Sequence, residues 1–174
     1  ASKELDKILE MNNKKYECFI ANDNSNLQVV VSGLKKDINL LSDDLNIKKI
    51  KNLKLNVSAP FHCKYMKTAS EKMTNYINDL NMSELEKPII SNVTANETSS
   101  SKEIKSLLIS QIEKKVRWLE SVEYMINNGV KNFVEIGPGK VLSGLIKRIN
   151  KKVNVNSINS EEDIKLLIND WFKK

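Results

Sequence analysis

The chain has 174 residues, 40% of them apolar and 29% charged, a globular composition with enough length to bury a core. No apolar run approaches the roughly 18 residues of a membrane-spanning helix, and no basic-then-apolar leader opens the sequence. The net charge of +6 comes from lysines scattered through every segment, with only two Trp, four Tyr and four Phe, mostly at core-type positions. A basic groove with stacking aromatics is therefore not expected, and neither nucleic acid nor a membrane is an expected partner. Cys18 and Cys63 have no CxxC spacing, so neither a disulfide framework nor a metal site is suggested, and a reducing cytoplasmic setting fits.

In chain order, Leu5, Ile8 and Leu9 predict a helix over 2–11 that begins almost at Ala1, as in a piece of a longer protein. Strands follow over 16–21 and 28–32, the second stopping at Gly33, then a helix over 34–45. Leu53, Leu55 and Val57 alternate with Asn52, Lys54 and Asn56 and predict a third strand over 50–58. That α-β-β-α-β order matches a ferredoxin-like split βαβ unit without its first strand. A long helix is predicted from Lys64 to Leu80, and a strand over 89–93. Ser100 and Glu103 have capping-box spacing ahead of Ile104, Leu107, Leu108 and Ile112. A helix with Trp118, Val122 and Ile126 ends at Asn128-Gly129. A strand over 132–136, a helix through Leu142 to Ile149, a strand over 153–158 and a helix capped by Ser160 complete the pattern. Such alternation predicts a parallel, helix-covered sheet.

His62 is the single histidine and stands in VSAPFHCKYM, where the predicted strand over 50–58 gives way to a helix. Pro60 forces extended geometry on the residue before it and turns the chain at such a corner. Histidine suits general-base work near neutral pH, although a packing or capping histidine fits the same position. Cys63 reads more simply as a buried structural cysteine than as a nucleophile paired with its own neighbour. Gly137-Pro138-Gly139-Lys140 lacks both the P-loop and the dinucleotide spacing, and reads as a tight turn with some capacity to seat an anion at the following helix. Lys140, Lys147, Arg148, Lys151 and Lys152 form either a docking surface or a solvated face. No G-x-S-x-G nucleophile elbow occurs; neither Ser32 nor Ser143 has glycine at the required spacing.

Five stretches together resemble the malonyl-CoA:acyl-carrier-protein transacylase family: NDNSNLQVVVSG at 22–33, VSAPFHCKYM at 57–66, PIISNVTA at 88–95, VRWLESVEYM at 116–125 and VEIGPGKVLSGLIKRI at 134–149. The resemblance covers essentially the whole chain, in the family's order and spacing. It implies an α/β fold: an incomplete ferredoxin-like subdomain over 1–58, then the C-terminal part of an α/β-hydrolase-like acyltransferase core over 59–174. It implies malonyl transfer from coenzyme A through an acyl-serine to acyl carrier protein in fatty-acid synthesis, with malonyl-CoA as substrate and no separate cofactor. The serine and the carboxylate-binding arginine belong to the family's N-terminal part, so a C-terminal fragment, inactive alone, is expected. His62 takes the catalytic-base position and Gln111 the position whose backbone carbonyl holds its ring, while Asn24, Gln28 and Lys51 match positions lining the coenzyme A side. The loop at 24–28 departs from the usual Ser-Pro-Gly-Gln, and Lys114-Lys115 replaces a common Asn-Pro. A polyketide-type acyltransferase domain fits less well, because the chain ends soon after Trp171-Phe172 without linker sequence. A non-catalytic carrier-binding module is opposed by the retained His62. A monomer is expected for the complete enzyme. Exposed apolar faces, and hence aggregation or poor cooperativity, are expected of the fragment.

Overall fold

The computed structural model describes residues 2–172, with side chains through residue 169, so expectations resting on Ala1 or on the side chains of Trp171 and Phe172 lie outside what is described. The fold is mixed α/β and forms two compact units, one ending at Ser121 and one beginning at Val122. The boundary expected between residues 58 and 59 falls inside the first unit.

The first unit opens with α1 (Ser2–Met11), β1 (Cys18–Ser25), β2 (Gln28–Gly33) and α2 (Lys35–Ile47). β1 and β2 pair antiparallel from Cys18↔Gly33 to Ser25↔Gln28, with irregularities after Ile20 and after Asp23. Leu5 from α1, Cys18 and Ile20 from β1, and Leu41 and Leu45 from α2 close over Tyr16 as one buried cluster. Each fully buried leucine or isoleucine there contributes about 1.5–3 kcal/mol. Gly33 ends the hairpin where backbones crowd, since a Cβ would stand 2.9 Å from the Glu17 carbonyl oxygen and 3.2 Å from Cys18 Sγ.

The third strand expected over 50–58 does not form; residues 51–57 pair with no neighbour. Period-two alternation reports an extended backbone, but a strand also needs a partner to complete its ladder. The polar side of the segment is tied locally instead, with Ser42 Oγ donating to Asn52 Oδ1 at 2.8 Å and Lys54 Nζ to Asn39 Oδ1 at 2.8 Å. Leu53 is left 85% exposed.

The predicted helix over 64–80 resolves into a 3₁₀ turn (Lys64–Met66) and α3 (Lys67–Asn78), which packs on α4 (Ser101–Glu113). Between them β3 (Ile89–Ile90) pairs antiparallel with β4 (Glu97–Thr98). β4 was not anticipated, and the strand expected over 89–93 is short, because Ser91 N donates to Asn96 O and Ala95 N to Ser91 O, folding the chain back. This antiparallel pair also departs from the parallel, helix-covered sheet expected. At α4, Ser100 Oγ accepts from Glu103 N at 3.4 Å, while the Glu103 carboxylate accepts from Thr98 Oγ1 at 2.5 Å rather than returning to Ser100. α5 (Trp118–Asn127) follows.

In the second unit β5 (Asn132–Ile136) and β6 (Asn154–Ile158) pair parallel, Asn132↔Asn154 to Ile136↔Ile158, around α6 (Val141–Ile149). α6 and α7 (Glu161–Phe172) both pack on β6. Asp163 N donates to Ser160 Oγ at 3.2 Å, so Ser160 caps α7. No helix among the described residues is long and apolar enough to cross a membrane.

Candidate functional site

His62 follows Pro60 and Phe61 in a tight turn, Phe61 N donating to Ala59 O at 3.0 Å, and its backbone sits at φ 59°. A left-handed conformation is uncommon outside glycine and is held here by surrounding bonds. Ser32 Oγ, buried on β2, donates to the Phe61 carbonyl. Cys63 Sγ donates to the Pro60 carbonyl at 3.1 Å. Just beyond, Glu17 accepts from Lys64 Nζ and from Tyr65 Oη, the latter at 2.5 Å. Hydrogen bonds from Lys64 first, and then Tyr65, hold the Glu17 carboxyl below its ordinary range. Lys64 Nζ also lies 5.5 Å from the centre of the Phe19 ring, which meets the Tyr65 ring edge-on at 5.9 Å. These contacts fix both ends of the turn, so the histidine at its middle has a defined direction.

That direction is toward the end of α4. His62 Nδ1 lies 2.9 Å from the Gln111 carbonyl oxygen. Gln111 stands in the last turn of α4, where carbonyls have no intrahelical donor. The helix stops because Lys114 is extended and Val116 joins β1, its N–H donating to Ala21 O at 2.8 Å and its carbonyl accepting from Asp23 N at 2.9 Å. A carbonyl oxygen only accepts, so Nδ1 carries the proton in this bond, and in the neutral ring Nε2 keeps its lone pair. The half-buried ring is thereby oriented to take a proton at Nε2.

Beside His62 lies an open depression of about 450 Å³, lined by Asp6, Leu9 and Glu10 of α1, by Cys18, Phe19 and Ile20 of β1, by Cys63 and Lys64, and by Glu113, Lys114 and Lys115 at the end of α4. Its three lysines, Lys64, Lys114 and Lys115, are balanced by three acids, Asp6, Glu10 and Glu113, so formal charge at the lining favours neither sign of occupant. Cys63 is only 2% exposed and burial raises its thiol pKa, which fits the structural reading of this residue.

Of the residues expected in the site, the structure brings together His62 and Gln111. Asn24 sits in β1 at the irregularity before Ser25, Gln28 opens β2, and Lys51 is exposed beyond α2. None of the three lines the depression. Ser32 was weighed in the sequence only as a nucleophile and Glu17 not at all, because a serine within a strand and a lone glutamate carry no local signal of the bonds they make here. The anion seat suggested after Gly139 is filled by the protein itself: Glu135 accepts from Leu142 N at 3.0 Å and Ser143 N at 2.8 Å at the start of α6. Among the described residues no cluster of three His, Cys, Asp or Glu side chains could hold a metal.

A histidine tied through Nδ1 to a backbone carbonyl, with Nε2 left as acceptor, has the geometry that general-base chemistry requires. Comparison with known proteins shows that by sequence and fold the chain is homologous to part of the malonyl CoA-acyl carrier protein transacylases. The transacylase of Staphylococcus aureus strain MSSA476 is 41% identical over 148 residues, 83% of this chain. The crystal structure of the Clostridium perfringens transacylase matches 99% of the chain with a TM-score of 0.93 at 32% identity, over 55% of its own length. A malonyl-transacylase in complex with a holo type II polyketide acyl-carrier protein matches 97% of this chain and 55% of its own, with a TM-score of 0.90 and 30% identity. No protein-family model matches the chain. The chain spans about half the length of the curated relatives it matches, 47% for the staphylococcal enzyme.

Proposed function

We propose that this chain is the C-terminal, histidine-bearing part of a malonyl-CoA:acyl-carrier-protein transacylase of fatty-acid synthesis, and that the nucleophilic serine lies outside it. In this reading His62 Nε2 takes the serine hydroxyl proton as the serine oxygen attacks the malonyl thioester. The C–S bond breaks, and the proton passes to the departing coenzyme A sulfur. In the second half His62 takes the proton of the carrier's phosphopantetheine thiol, the thiolate attacks the malonyl-serine ester, and the proton returns to the serine oxygen. Gln111 supplies the carbonyl that keeps Nε2 available. Asn24, Gln28 and Lys51 face the coenzyme A side, and malonyl-CoA enters as substrate without a separate cofactor.

The same reading takes residues 1–58 as a ferredoxin-like subdomain lacking its first strand and residues 59–174 as part of an α/β-hydrolase-like core, in a cytoplasmic enzyme that is monomeric when complete. The observation that carries the proposal is the 2.9 Å contact from His62 Nδ1 to the Gln111 carbonyl, in a chain homologous to the transacylases and without a nucleophile elbow. Intact-mass spectrometry after incubation with malonyl-CoA tests it. No adduct is expected on this chain alone, and a malonyl ester on the serine-bearing part once the two are combined. A stable adduct on this chain alone would place a nucleophile within it and overturn the reading.

A further inference from the structure

The Gln111 carbonyl lies in the last turn of a helix, where backbone bonds fray most readily, yet it must stay aimed at His62. A second bond to the same residue restrains it: Asn92 Nδ2 donates to Gln111 Oε1 at 3.0 Å. Asn92 is itself fixed. Its carbonyl accepts from Arg117 N at 2.9 Å, and the Arg117 guanidinium reaches the next two carbonyls, Thr94 O at 2.9 Å and Val93 O at 3.3 Å. Glu120 holds that guanidinium from the other side through Nε at 2.9 Å and Nη2 at 2.5 Å. Hydrogen bonding to Glu120 raises the pKa of Arg117, and the ion pair is about one-third exposed. The turn at 91–96 is thus pinned before it meets α4.

We propose that Asn92 is a positioning residue for His62: its side-chain amide clamps Gln111, keeps the Gln111 carbonyl on Nδ1, and so selects the tautomer with Nε2 unprotonated. The inference rests on the reading of His62 as a proton acceptor, but its test needs neither substrate nor serine. His62 is the single histidine, so long-range ¹H–¹⁵N spectra of the ¹⁵N-labelled full chain report its two ring nitrogens without ambiguity. With the ring neutral, the unaltered chain should show Nδ1 protonated and Nε2 bare.

Asn92→Leu keeps the approximate size and removes every hydrogen-bonding group, so the Gln111 amide cannot turn over to restore the clamp. In a chain whose amide spectrum stays dispersed, it should shift the tautomer ratio about fivefold toward the Nε2-protonated form, the size expected for loss of one net hydrogen bond. An unchanged ratio in that folded variant would overturn the proposal. Should Asn92→Leu fail to fold, Gln111→Met removes the acceptor from the other side while keeping the carbonyl, and the same two outcomes decide. Failure of the malonyl-transfer reading would leave this ratio untouched, so the two failures are separable.

Discussion

Glu135, at the end of β5, closes the first turn of α6 by accepting from Ser143 N at 2.8 Å, with Leu142 N at 3.0 Å beside it. The Ser143 side chain and then its backbone N–H hold the Glu135 carboxyl below its ordinary value of 4.5. A depressed carboxyl binds fewer protons in the folded chain than in the unfolded one, so its contribution to stability is present above the ordinary value. It is lost as pH falls through the folded value. Glu135→Gln should therefore lower the melting midpoint at neutral pH, and the gap from the unaltered chain should close as acidification goes below the ordinary value of 4.5 and through the depressed one. Parallel melts across pH 3–7 check this; a constant gap would contradict it.

Cys18 and Cys63 are both buried, at 9% and 2% exposure. Burial first, and then the nearby Asp37, pushes the Cys18 thiol up to about 12. At pH 8 only about 10⁻⁴ of such a thiol is in the reactive thiolate form. Ellman's reagent should titrate neither cysteine in the folded chain on the timescale in which it titrates both in denaturant. Rapid native labelling would mean that this face opens readily.

Lys49 ends α2 at φ 58°, with its N–H donating to Asn46 O at 3.0 Å and Ile50 N–H to Leu45 O at 2.8 Å. That is the helix stop in which glycine is preferred, because a Cβ strains the left-handed backbone. Lys49→Gly should stabilise the chain by about 0.5–1 kcal/mol, and Lys49→Val should destabilise it by about 1 kcal/mol or more. Chemical denaturation of the two variants should show opposite signs.

In the enzyme completed with its serine-bearing part, His62→Ala should slow malonyl transfer about 10²–10⁴-fold, the range for loss of a general base. A rate within a fewfold of the unaltered enzyme would remove His62 from the chemistry.

Lys147 and Arg148 occupy the last turn of α6. Reversing both charges should weaken binding of an acidic carrier protein to the completed enzyme, more at low salt than at high salt. Calorimetry at two ionic strengths reads this, and equal affinities would sink the docking idea.

Periodicity alone located most helices and the β1–β2, β5 and β6 segments, because apolar spacing and capping residues act within a few positions of each other. His62 stood out as the single histidine in a proline-set turn, but Gln111 was legible only through family resemblance, since a backbone carbonyl leaves no side-chain signature in a sequence. Tertiary structure decided the rest. The alternation at 53–57 predicted a strand, yet whether a strand forms depends on a partner that alternation does not specify. Glu135 fills the helix start that glycine spacing had left open for an anion. Asn92 and Ser32 reach Gln111 and Phe61 across 19 and 29 residues of chain, and hydrogen bonds at such separations are set by how elements pack rather than by local pattern.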